Sequence, residues 1–212
     1  MVPRTDGQPF VLQAQVNASL CTSCGICMGS CPSSTPFRRS EELRTGIDLP
    51  DYRLKDLRER TIAAAEALTG TARVLVFACD HGGARDFDGV VRLPCVAMVP
   101  PSLFDFVLSR GLAEGLAIAG CAESACYNRL GVAWTEQRIA GQRDPYLRAR
   151  VPRERILTVW ASVFSRRRVA AQIETFRTKL LDLPARSSPP SSTAAKSASA
   201  APRASIETER VP

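Results

Sequence analysis

Four cysteines lie within eleven consecutive residues near the start of the chain, and they constrain its fold more than any other feature. This first set, spaced C-x2-C-x2-C-x3-C, consists of Cys21, Cys24, Cys27 and Cys31. Two successive two-residue spacings wrap one tight loop around a compact cluster, while a small residue such as Gly25 lets backbone amides approach the sulfur atoms. Zinc usually takes its cysteines in separated pairs. The spacing therefore favours an iron–sulfur cluster over a zinc ion.

The other four of the eight cysteines are spread over residues 79 to 126, in a part of the chain where strand and helix patterns alternate. This second set consists of Cys79, Cys95, Cys121 and Cys126. Short apolar runs predict buried parallel strands at residues 73–78, 90–93, 116–119 and 156–160. Three cysteines fall at or just after the ends of these strands, where ligands collect in parallel α/β domains. Four converging thiolates there would suit a [2Fe–2S] cluster or a zinc ion.

The first set is similar to the [4Fe–4S] motif of bacterial-type ferredoxins over about residues 10 to 36. In ferredoxins with two such runs, the fourth cysteine ligates the other cluster. This chain has one run, so Cys31 either ligates the local cluster with its three neighbours or serves another cluster. We favour local ligation, because two sets of four then account for all eight cysteines.

Helix signals fill the stretches between the predicted strands. Asp51 is expected to cap a connecting helix that ends before Gly70, and Ser102 to cap a helix over residues 103–110. A final helix is predicted from apolar residues that recur at helical spacing. These are Val169, Ile173, Phe176 and Leu180.

The alternation predicts a small parallel-sheet α/β domain, preceded by a ferredoxin-like segment and followed by a disordered tail. The tail is rich in Ser, Ala and Pro and has little apolar surface to bury. We predict a ferredoxin-like [4Fe–4S] segment at 1–50, a connecting helix at 51–70, an iron–sulfur α/β domain at 71–184 and the tail at 185–212.

Several stretches of the α/β domain resemble the iron–sulfur (delta) subunit of methyl-viologen-reducing hydrogenase, a family that partners heterodisulfide-reductase-type flavoproteins. They are residues 74–79 (VLVFAC), 92–95 (RLPC), 119–128 (AGCAESACYN) and 157–160 (LTVW). The resemblance implies that the second set holds a [2Fe–2S] cluster, and that the chain passes electrons between a dehydrogenase or hydrogenase module and a flavin-containing partner. Members often carry a further cysteine soon after the first, where this chain has Asp80-His81-Gly82-Gly83. His81 could replace a thiolate there, although a lone histidine beside two glycines is more often a solvated loop residue.

Charge and motif content narrow the classes of function. The formal net charge is +7, and arginine is concentrated in residues 128–182. No helix-turn-helix, zinc-finger or single-strand-binding signature accompanies this charge, which favours docking of an acidic redox partner over nucleic acid. A phosphate-binding loop and a nucleophile elbow are both missing from the sequence, so we do not expect catalysis by this chain alone.

Two further patterns of the sequence indicate the cellular compartment. No apolar run reaches the ~18 to 20 residues of a membrane helix, and the N-terminus lacks the layout of a secretory signal. We therefore expect a cytoplasmic protein, in a reducing compartment that disfavours a disulfide framework.

Taken as a whole, the sequence predicts an iron–sulfur electron-transfer subunit of an oxidoreductase complex. The resemblance implies that it relays electrons between a flavin-containing heterodisulfide-reductase-like partner and another oxidoreductase component, such as a dehydrogenase subunit. The alternative is a structural interaction module, in which zinc or a redox-silent cluster supports the fold, with nucleic acid as one candidate partner.

Overall fold

A four-stranded parallel sheet is the centre of the fold. The computed structural model describes residues 2–3, 12–37, 45–49 and 51–184, and the predicted tail lies outside them. In chain order the elements are β1 (Val2–Pro3), β2 (Leu12–Gln13), α1 (Ile26–Ser30), α2 (Leu54–Glu66), β3 (Val74–Cys79), β4 (Val91–Leu93), α3 (Pro101–Ser109), β5 (Gly115–Gly120), α4 (Gly131–Ala140), β6 (Ile156–Trp160) and α5 (Arg166–Asp182).

The sheet has the strand order β4-β3-β5-β6, and every neighbouring pair is parallel. Every residue of β3 and β5 is buried, which is typical of parallel strands covered by helices on both faces. The predicted fold class, a small parallel α/β domain, is confirmed. The four predicted strands occur within one residue of their expected bounds.

Alternate residues of the strands pack into two separate cores. Leu75, Phe77 and Ile118 face one core, which α2 and α3 cover. Val76 and Ala117 face the other, which α5 covers. The predicted apolar face of α5 is confirmed, since its buried residues are Val169, Ile173, Phe176 and Leu180.

Two predicted helix caps are wrong. Helix α2 begins three residues after Asp51, and the extended residue Arg53 precedes it without a capping side chain. Helix α3 begins at Pro101, because the fixed φ of proline suits the first helical position. Ser102 therefore lies inside the helix, and its hydroxyl donates to the carbonyl of Ser34 at 2.7 Å.

The described part of the N-terminal segment packs directly on the sheet domain. Strands β1 and β2 form a short antiparallel ladder, and Met28 of α1 is fully buried in the same core as Leu75. The ring of Phe37 meets that of Phe106 edge to face, with centroids 5.7 Å apart. The two predicted modules therefore share one hydrophobic core.

None of the helices in residues 2–3, 12–37, 45–49 and 51–184 is both long enough and apolar enough to cross a membrane.

Candidate metal centre

The second set lies at the carboxyl edge of the sheet, where the order of the strands changes direction. From β3 the chain crosses to β4 on one side and then returns to β5 on the other, and such a switch point is where open α/β sheets bind ligands. Cys79 ends β3 and Cys121 follows β5, with their sulfur atoms 3.7 Å apart. Two thiolates bound to one tetrahedral metal at about 2.3 Å lie about 3.8 Å apart. The pair therefore fits one metal centre.

Cys95 and Cys126 approach this pair from two loops. A Cβ on Gly131, the first residue of α4, would overlap the Cys95 sulfur and lie 3.4 Å from that of Cys126. Cys95 also lies within electrostatic range of Cys121 and Cys126. The structure thus brings the four thiols of the second set near one another as two pairs, Cys79 with Cys121 and Cys95 with Cys126. Whether they act as ligands stays a prediction.

The backbone amide of His81 donates to the sulfur of Cys79 at 3.5 Å. The backbone amides of Ala97 and Tyr127 face the sulfur atoms of Cys95 and Cys121 and act to lower the pKa of these two thiols. Hydrogen bonds to sulfur stabilise thiolates and tune the potential of an iron–sulfur cluster. The donor set therefore fits a thiolate-bound cluster.

Burial and mutual contact control the ionisation of these thiols. The hydrogen bond between Cys79 and Cys121, reinforced by burial at Cys79, raises the pKa of Cys79, and the same bond lowers the pKa of Cys121. Burial raises the pKa of Cys95 to about 11. Because a bound metal supplies the positive charge that thiolates need, we expect assembly of the site to release protons.

The first set occupies a partly exposed loop with unusual backbone geometry. Ser23 and Gly25 both have left-handed φ values, of 54° and 75°. This geometry lets the Ser23 amide donate to the Cys21 sulfur at 3.3 Å. Cys27 lies within electrostatic range of Cys24 and Cys21, so the loop brings three of the four predicted ligands close together.

Cys31 ends α1, and its sulfur lies 3.0 Å from the hydroxyl of Ser33. That hydroxyl accepts a hydrogen bond from the Gly46 amide at 2.7 Å, so its own proton can point to the sulfur. Burial acts to raise the pKa of Cys31, but the hydrogen bonds, chiefly from Ser33, outweigh it and lower the pKa. The surroundings of Cys31 thus favour a thiolate, and its place in the local cluster stays a prediction.

A short turn at residues 96–98 joins the two sets. It begins directly after Cys95, and α1 packs closely on it. A Cβ on Gly29 would overlap the carbonyl oxygen of Ala97, and a Cβ on Gly25 would overlap the side chain of Met98. The backbone of the first set therefore lies in direct contact with the segment that follows Cys95.

The ring of His81 is exposed and stacks on Tyr127, with ring centroids 3.9 Å apart. Its backbone amide, and not its ring, contacts Cys79. Within the described ranges, no three or more His, Cys, Asp or Glu side chains are grouped closely enough to hold a single metal ion.

The sequence predicts neither α4 nor two of its residues that lie against the two sets. Gly131 leaves space beside two sulfur atoms. Arg138 is only 1 % exposed and follows the buried residues Val132 and Thr135 at helical spacing. An arginine on the buried stripe of a helix is the sequence signal that could have revealed it.

Models of two known families match the chain. The model described as methyl-viologen-reducing hydrogenase, delta subunit, matches residues 88–183, a range that includes three cysteines of the second set and begins after Cys79. The 4Fe-4S binding domain matches residues 14–35 and includes the whole first set. No curated protein matches the chain. Residues 88–183 are thus similar to the methyl-viologen-reducing hydrogenase delta-subunit family, and they follow a segment, residues 14–35, that is similar to 4Fe-4S binding domains.

Proposed function

We propose that the chain is an iron–sulfur electron-transfer subunit of a hydrogenase-type oxidoreductase complex. It would connect a flavin-containing, heterodisulfide-reductase-like partner with a second oxidoreductase component. The first set would hold a [4Fe–4S] cluster and the second set a [2Fe–2S] cluster. Bound there, the two clusters would supply a pair of one-electron carriers.

The observation that carries this proposal is the packing of both sets against residues 96–98. Gly29 and Gly25 bring the α1 segment against Ala97 and Met98. Met28 and Met98 are both 0 % exposed, so their side chains keep water out of the contact. The chain's own residues therefore hold the two sets close together, across a dry and fixed interface.

The arrangement of the second set favours two metal centres over one. Cys79 and Cys121 lie at the separation of two thiolates on one tetrahedral metal. Cys95 and Cys126 form the other pair, on either side of the space beside Gly131. Two thiolates for each iron is the ligand set of a [2Fe–2S] cluster bound by four cysteines.

Exposed apolar side chains lie next to both sets in the sequence. Leu20 is 81 % exposed beside Cys21, and Tyr127 is 70 % exposed beside Cys126. Single exposed apolar residues are common on protein surfaces, so the expectation that redox partners approach near each set rests on the position of these residues beside the cysteines.

Metal analysis of anaerobically purified protein tests the proposal. The brown protein should contain about six iron and about six acid-labile sulfide per chain, for one cluster of each type. Cys24→Ser should leave about two iron per chain and Cys121→Ser about four, because each removes a ligand of one set only. Colourless protein loaded with zinc would contradict the proposal.

Electron uptake tests the relay itself. Titration with reduced methyl viologen should deliver about two electrons per chain, one for each cluster. The Cys24→Ser and Cys121→Ser variants should each take up about one. A protein that has its full iron content and takes up no electrons would support the redox-silent structural role instead.

A further inference from the structure

Arg138 lies buried on the inner face of α4, between the two cysteine sets. Its Nη1 donates to the carbonyl of Ala97 at 3.0 Å, and its Nη2 donates to the hydroxyl of Ser30. Ala97 comes two residues after Cys95, and Ser30 comes directly before Cys31. One guanidinium therefore contacts the segments that carry one cysteine of each set.

The charge of Arg138 has no carboxylate partner within the described residues. Both of its hydrogen-bond acceptors are neutral, and its Nε is buried without an acceptor. Arg143 lies within electrostatic range of Arg138 and repels its charge, whereas a thiolate at Cys95 would attract it. Burial, with the help of Arg143, lowers the pKa of Arg138 to about 10. A buried charge with this environment needs an anion nearby.

Arg155 is a second buried arginine, and its surroundings can be compared with those of Arg138. It is also buried, and it donates to the carbonyls of Glu114 at 3.0 Å and Pro184 at 2.8 Å. It precedes β6 at the amino edge of the sheet, whereas the second set lies at the carboxyl edge. It therefore provides a matched control that is also buried and lies away from both sets.

We propose that Arg138 is the shared counter-ion of the two clusters and raises the reduction potential of both. This inference rests on the proposed function, since it requires a cluster at each set. Net charge is one of the properties that set the potential of a thiolate-bound cluster. Each added electron makes the cluster more negative, and a positive charge fixed in a dry interior stabilises that reduced form. Because Arg138 reaches both segments, its removal acts on two potentials at once.

Redox titration of the intact holoprotein, followed by the electron paramagnetic resonance signal of each cluster, tests the inference. Arg138→Gln removes the charge and should shift both midpoint potentials to lower values. Arg138→Lys keeps the charge and should shift them less. Arg155→Gln should leave both potentials unchanged. The inference is overturned if Arg138→Gln leaves both potentials at their wild-type values, or if Arg155→Gln shifts them equally.

A second pair of variants covers the case in which Arg138→Gln does not fold. Ser30→Asp places a carboxylate against Arg138 and cancels its charge, and should lower the potential of the second-set cluster as well as the first. The neutral Ser30→Asn should lower neither. An unchanged second potential in Ser30→Asp overturns the inference. Failure of the proposed function is seen separately, as a wild-type protein that lacks one of the two clusters.

Discussion

At the scale of single residues, the packing of the second set depends on Gly131, which has no side chain. Gly131 begins α4, and a Cβ there would overlap the Cys95 sulfur and press on that of Cys126. Neither a turn nor a positive φ requires glycine at this position. The space beside the two sulfur atoms is therefore the physical reason for this residue.

Gly131→Ala is expected to release the cluster of the second set and to spare that of the first. The added methyl group takes the volume beside Cys95 and Cys126, so about two of about six iron atoms should be lost per chain. Iron and sulfide analysis with absorption spectra checks this. Ala133→Ser adds one atom to an exposed position of the same helix and should keep both clusters. Full iron content in Gly131→Ala would show that the space is not needed.

All eight cysteines can be identified from the sequence, because their spacing and their positions at strand ends carry the signal. Gly131 and Arg138 cannot be identified in the same way, since their importance comes from contacts with residues far along the chain. Arg138 meets Ser30 across more than a hundred positions. Only the folded structure places α4 beside α1.

At the scale of elements, an ion pair fixes the start of the two central strands. The guanidinium of Arg73 binds Glu114 through Nη2 at 2.7 Å and Nε at 3.0 Å, and the Arg73 amide adds a bond of 2.9 Å. The next residues, Val74 and Gly115, are the first paired positions of β3 and β5. The pair therefore holds the register of the sheet at the edge opposite the cysteines.

Glu114→Gln is expected to lower the free energy of unfolding by about 1 kcal/mol at pH 7. Burial acts to raise the pKa of Glu114, but the bonds from Arg73 outweigh it and hold the pKa below its usual value. The stabilisation is therefore complete above the unfolded pKa of about 4.3 and is lost as the pH falls through the lower folded value.

Urea unfolding at a series of pH values checks this dependence. The difference between wild type and Glu114→Gln should shrink as the solution is acidified. Glu174→Gln, which removes an exposed helical pair with Arg177, should change stability little at any pH. A difference that persists unchanged at low pH would rule out the ionised pair as its cause.

Helix α1 docks on the turn at residues 96–98 through a close backbone approach. Gly29→Ala would place a methyl group on the carbonyl oxygen of Ala97, which cannot turn away as a side chain could. We expect a loss of about 1 to 3 kcal/mol in the free energy of unfolding and faster release of the first cluster.

Gly70→Ala is the control for this variant, since nothing lies near its added Cβ. It has a left-handed φ of 89° and should cost only about 1 to 2 kcal/mol of backbone strain. Its cluster release should match that of wild type. Equal release rates in Gly29→Ala and wild type would contradict the close docking of α1.

The predicted elements differ from the structure mainly at helix starts. Strands were predictable from short apolar runs, because burial on both faces leaves a continuous pattern. Helix caps were less predictable than strands. Ser102 is a good capping residue in isolation, but Pro101 begins the helix one position earlier. The Ser102 hydroxyl instead donates a hydrogen bond to the carbonyl of Ser34. A side-chain bond to a distant segment competes with the local one and is invisible in the local sequence.

At the scale of the whole molecule, the two sets depend unequally on the fold. The second set is brought together by the ends of β3 and β5 and by loops of the sheet domain. The first set lies on one loop, and α1 of that loop rests on the turn that follows Cys95. Loss of the second-set cluster should therefore also destabilise the first-set cluster, whereas loss of the first-set cluster should leave the second unaffected.

This asymmetry predicts how the clusters are lost in variants. Cys95→Ser should remove the cluster of the second set and also speed the loss of the remaining one to an iron chelator, because residues 96–98 lose an anchor. Cys24→Ser should remove the cluster of the first set and leave the release of the other at its wild-type rate. Absorbance followed over time under anaerobic chelation measures both rates. If each variant affects only its own cluster, the turn does not couple the two sets mechanically.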